Sequence, residues 1–100
     1  MNMFFSIYNG PFVHVYKYVA HSDTNEAALA ELMEANKPYL GNDDGRGHVD
    51  HAIIRVVARL SDEPIENAEP TDAERAWLTS RSRRWDPPKP DTAIYDAQGV

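Results

Sequence analysis

The chain opens with two short runs of apolar and aromatic residues, 3–8 (MFFSIY) and 12–20 (FVHVYKYVA), separated by Asn9-Gly10-Pro11. β-Branched and aromatic residues in such runs, broken by turn formers, predict a β-hairpin. Pro11 has no N–H to give to a ladder, which places it in the turn. Register decides what each face carries, because a slip of one residue turns every side chain over. A three-residue loop pairs Tyr8 with Phe12, Ser6 with His14 and Phe4 with Tyr16. It sorts Met3, Phe5, Ile7, Val13, Val15 and Val19 onto one face, interrupted by Lys17, and Phe4, Tyr8, Phe12, His14, Tyr16 and Tyr18 onto the other. A two-residue loop mixes the two sets. The cleaner segregation selects the three-residue register.

Polar spacing then changes to a helical period. Ala28, Leu29, Leu32, Met33, Tyr39 and Leu40 fall on one stripe, and Glu26, Glu34 and Lys37 face away. Asp23 or Thr24 caps this helix over 24–37, Glu26 suits its first turn, and Pro38 ends it. Residues 41–48 (GNDDGRGH) read as a loop. Residues 51–60 (HAIIRVVARL) fit two patterns. As a helix, Val49, Ala52, Ile53, Val56, Val57 and Leu60 form a stripe. As a strand, Ile54, Val56, Ala58 and Leu60 alternate with Ile53, Arg55, Val57 and Arg59. The density of β-branched residues favours the strand.

Residues 61–71 (SDEPIENAEPT) read as an acidic, proline-broken linker. Thr71 and Glu74 have the spacing of a capping box that opens a helix over 72–84. From Trp85 the chain is proline-rich (WDPPKPDTAIYDAQGV), an extended tail over 86–100 in which Thr92–Tyr95 either adds an edge strand or stays disordered. The expected assembly is an α+β domain over residues 1–85: a hairpin and a third strand in antiparallel order 2-1-3, with the first helix on the aliphatic face.

Composition narrows the setting. One hundred residues suit one domain with a single small core. There is no cysteine, so neither disulfides nor thiolate metal sites enter the argument, and packing carries the fold. No apolar run reaches membrane-spanning length, and the N-terminus lacks a basic leader, so a cytoplasmic protein without a membrane partner is expected. The net charge is −6. Residues 1–70 hold 5 basic and 11 acidic side chains, while residues 71–100 hold 5 of each. An acidic body disfavours direct contact with nucleic acid. It suits a basic protein partner, such as one with a nucleic-acid-binding surface.

Candidate chemistry is sparse. His48 and His51, beside Asp43, Asp44 and Asp50, could share a metal if helical, with His14 and His21 joining only by folding. The spacing matches no HExxH or EF-hand pattern, and a polar loop entering a strand explains the same residues. Neither a GxSxG nucleophile nor a phosphate loop is present, and no metal, cofactor or catalytic residue is assigned. A small metal-dependent enzyme centred on His48 and His51 is the least favoured reading.

Two features point to binding instead. The ring-rich hairpin face (Tyr8, His14, Tyr16, Tyr18) needs a cover: the last helix with its tryptophans, a second copy in a homodimer, or another protein. On a helix, Trp77, Arg81 and Trp85 align at i, i+4 and i+8, so that Arg81 sits between two indoles, with Arg84 beside them. The expected binding residues are Tyr8, His14, Tyr16, Tyr18, Arg81, Arg84 and Trp85. The function this favours is a non-enzymatic protein-binding module, by class analogy with the small regulators and inhibitors of phages and mobile elements. A self-assembling structural protein is the alternative.

Overall fold

A computed structural model describes residues 1–9, 12–37, 52–81 and 92–97. Its elements run β1 (Asn2–Asn9), β2 (Phe12–Val19), α1 (Asn25–Ala35), β3 (Ala52–Arg59), α2 (Asp72–Thr79) and β4 (Thr92–Tyr95). The strands form one sheet in the order β2-β1-β3-β4, every pair antiparallel. The α+β class and the 2-1-3 strand order are as the pattern predicts, and Thr92–Tyr95 is the added strand.

The hairpin register differs from the expected one. Asn9 pairs with Phe12, Ile7 with His14, Phe5 with Tyr16 and Met3 with Tyr18, so only two residues separate the strands. The reason is that both faces of the sheet are covered. Segregation of aliphatic from aromatic side chains selects a register only where one face is buried and the other is not. Here α1 packs on one face, with Met3, Phe5, Ile53, Val56 and Ala58 meeting Ala28 and Leu32. On the other face Phe4 and Val57 pack with Ala68, Trp77 and Leu78, and Val15, Ile65 and Ile94 close around them. Two cores need apolar residues on both sides of β1, and Met3-Phe4-Phe5 supplies them.

β3 is a strand, and its β-branched residues serve both cores. Between Ser6 and Ile7 the β1–β3 register shifts: Ser6 pairs with Arg55 but Ile7 with Ile53. Ile54 is the extra residue, a β-bulge that reverses the alternation. It lets Ile53 and Val56 enter the same core although they are three apart, while Arg55, Val57 and Arg59 face α2.

α1 is capped by Thr24, whose side chain accepts from the Ala27 N–H at 3.2 Å. It ends at Ala35, short of the expected Lys37. Asn36 closes it, donating both its backbone N–H (3.1 Å) and Nδ2 (2.9 Å) to the Leu32 carbonyl. The stretch after β3, read as a linker, is tied to the second core. The N–H groups of Asn67 and Ala68 donate to the Pro64 carbonyl at 2.9 and 3.1 Å, Asn2 Nδ2 donates to the Glu63 carbonyl at 3.0 Å, and Ala68 is buried.

The capping box is present. The Thr71 N–H donates to Glu74 Oε1 at 2.7 Å, and the Glu74 N–H donates to the Thr71 hydroxyl at 3.1 Å. Such caps contribute about 1 kcal/mol. The helix does not run to residue 84 as expected. Ser80 is extended, with φ −73° and ψ 145°. Beyond Leu78 the residues 79–84 (TSRSRR) offer nothing apolar to bury, so another turn would gain no packing.

Candidate protein-binding edge

Among the described residues no strand pairs with the outer side of β2. Which backbone groups point outward follows from the ladder. The N–H groups of Met1 and Ala20 each donate to the other's carbonyl, at 3.0 and 2.9 Å. That is a hydrogen-bonded antiparallel pair, and such pairs alternate along a ladder. In the observed register Tyr18, Tyr16, His14 and Phe12 therefore bond inward to β1. Val13, Val15, Lys17 and Val19 turn their N–H and C=O groups to the open side.

The side chains flanking this edge are unevenly covered. α1 packs over β3, so the α1 side of β2 is only partly roofed. Phe12 is 64% exposed and Tyr16 44%, and His14 between them is exposed. Tyr16 stacks on Phe5 at 5.4 Å between ring centroids, with the His14 ring 6.2 Å from Tyr16. Tyr18 is half-buried against the core, and its hydroxyl donates to Glu31 Oε1 at 3.1 Å. Burial first, then that bond and the carboxylate's charge, raise the Tyr18 pKa. On the α2 side, Lys17 Nζ meets Glu69 Oε1 at 2.9 Å, and Val19 is 43% exposed. The Lys17 bond and charge hold the Glu69 carboxyl below its ordinary range.

Glu31 fastens the end of β2 to α1. It accepts from the His21 N–H at 2.9 and 3.0 Å, the Ser22 N–H at 3.2 Å and the Ser22 hydroxyl at 3.0 Å, besides Tyr18. The His21 N–H bonds chiefly lower its pKa, helped by Ser22 and Tyr18 against partial desolvation.

The expected ring-rich face does not form. Phe4 is buried under α2, and Tyr8 occupies the alternate register, opposite Val13 and Ala52. His14, Tyr16 and Tyr18 do lie in one row, on the α1 side and continued by Phe12. Arg81 is exposed beyond the end of α2, so it does not align with Trp77 on a helix. The guanidinium over Trp77 belongs to Arg55, 4.0 Å from the ring centroid. Arg84 and Trp85 lie outside the described residues, as do His48 and His51. Among the described residues no group of three or more His, Asp or Glu side chains is placed to hold a metal ion. Nor is any helix among them long and apolar enough to cross a membrane.

Sequence reasoning missed Phe12 and the outward backbone of β2 as binding features. The signal was available, since the order 2-1-3 already makes β2 an edge. Comparison with protein-family models, curated proteins and solved structures finds no match to this chain.

Proposed function

We propose that this chain is a non-enzymatic protein-binding module, a regulator or inhibitor that works by occupying a surface of another protein. The observation that carries this reading is the outer edge of β2, unpaired among the described residues, with exposed Phe12, His14 and Tyr16 beside it. An extended segment of a partner adds to such an edge by backbone hydrogen bonds, and pockets beside alternate side chains supply specificity. The acidic body favours a basic partner, which would be drawn in by long-range attraction and released by salt.

The test is capture of proteins from the native host on immobilised chain, comparing wild type with Val15→Pro. Proline at residue 15 removes an outward N–H while leaving the bonds to β1, which edge strands tolerate. The expected result is a specific set of captured proteins that is lost with Val15→Pro and reduced by added salt. Equal capture by both forms from low to high salt overturns the proposal.

A further inference from the structure

We infer that two copies of this chain cap each other's β2 edge across a two-fold axis at Tyr16, so that the edge reaches a partner protein only from the monomer. This concerns regulation of the edge just described and rests on that reading.

Charge is the first argument. The chain carries a net charge of −6, so copies repel over most of their surfaces. β2 (FVHVYKYV) contains no acidic residue. Its one cation, Lys17, is already paired with Glu69. The carboxylate that each copy does bring to this edge, that of Glu69, is met by Lys17, so two acidic molecules can approach here with less repulsion than elsewhere.

Self-complementarity is the second. In antiparallel pairing about an axis perpendicular to the sheet, residues opposite each other share a face, so the axis passes through a residue position. It must also set outward-bonding residues opposite one another. With the axis at Tyr16, Val15 meets Lys17 of the other copy and Val13 meets Val19, so every outward-bonding residue of β2 finds a partner. With the axis at Val15, Val19 would fall beyond Phe12, where β2 begins, and find no strand residue opposite it. The Tyr16 register also sets Tyr16 against its own copy and His14 against Tyr18, pairs of rings of the kind that stabilise antiparallel ladders. Val19, 43% exposed in the monomer, lies beside Val13 of the other copy. Lys17 is never directly opposite itself.

The other edge left unpaired among the described residues, that of β4, does not compete. β4 is four residues long, half the length of β2, and is followed by Asp96.

The experiment uses the full chain in two arms. Sedimentation from micromolar to millimolar concentration should show a monomer–dimer equilibrium approaching twice the chain mass of 11.3 kDa. Val15→Pro, checked for folding by circular dichroism, should self-associate roughly tenfold or more weakly. The second arm uses the absence of cysteine: any disulfide formed by a single-cysteine variant joins two copies. Tyr16→Cys sits at a non-hydrogen-bonded pair, where Cα atoms about 4.5 Å apart fit disulfide geometry. It should cross-link under mild oxidation much faster than Leu60→Cys, a residue 62% exposed and off the edge. A strict monomer at millimolar concentration, or equal cross-linking of the two cysteine variants, overturns the inference. If that chain still captures proteins in a manner sensitive to Val15→Pro, self-capping has failed and the proposed function has not.

Discussion

Arg55 holds its guanidinium 4.0 Å from the centroid of the Trp77 ring, and both side chains are inside the protein, Arg55 at 2% exposure. The pair joins the central sheet to α2. A desolvated cation over an indole is worth about 2 kcal/mol, and the stem of the arginine packs as an apolar group besides. Lysine, a compact and strongly hydrated charge, would not reproduce the stack. Arg55→Lys is therefore expected to destabilise by about 2 kcal/mol, Arg55→Ala by more because the stem is lost as well, and Trp77→Ala by about 3–5 kcal/mol. Urea unfolding of the three variants checks this; an Arg55→Lys protein as stable as wild type removes the stack as a stabilising element.

Glu31 should make the fold acid-sensitive. Its folded pKa lies below the ordinary value of 4.5 because His21 and Ser22 donate to the carboxylate. A lowered pKa means that the unfolded chain binds the proton more readily. The stabilisation is then complete above the ordinary value and is lost as pH falls through the folded one. Tyr18 works in the opposite sense. Its raised pKa gives stabilisation that is present below the ordinary value of 10.0 and lost as pH rises through the folded one. Glu31→Gln should lower the melting temperature at pH 7 and flatten its fall below pH 4.5. An unchanged acid limb in that variant would show that other carboxylates control it.

The bulge at Ile54 gives a third expectation. Removing that residue leaves Ile53 and Val56 two positions apart, so unbroken alternation keeps both on the α1 face. The shortened strand can keep its other pairings with β1 and lose the bulge alone. Deletion of Ile54 should therefore stay within about 1–2 kcal/mol of Ile54→Ala, and a further loss of about the 2–5 kcal/mol of expelling a buried isoleucine would show that Ile53 needs the bulge to reach the core. Equilibrium unfolding of the two variants provides the comparison.

What was legible in the sequence divides along physical lines. Local signals held where chain chemistry alone fixes them: Thr24 and the Thr71–Glu74 pair as caps, the Ala28–Met33 stripe, and the strand at 52–59 from its β-branched residues. The hairpin register failed because its criterion presumed a single buried face. Whether the second face is buried depends on α2, which lies more than fifty residues along the chain. The Arg55–Trp77 contact was hidden for the same reason. Arg81 looked like the partner because it is four residues from Trp77, but α2 stops between them. Of the expected binding residues, His14, Tyr16 and Tyr18 share a row because alternation within one strand does not depend on register.

β1 lies between β2 and β3 and carries Met3, Phe4 and Phe5 into both cores. During synthesis its near neighbour is available at once, whereas β3 is not made until residues 52–59. At roughly 5–20 residues per second, the nascent ribbon waits on the order of seconds before that strand emerges. A two-stranded hairpin is marginal in water, so through that interval Phe4 lacks the cover of α2, and Met3 and Phe5 lack the β3 side of their core. Birth, rather than the finished state, is when this chain is most exposed to clumping, and early engagement by a chaperone would matter more for it than for a protein that buries its first strand locally.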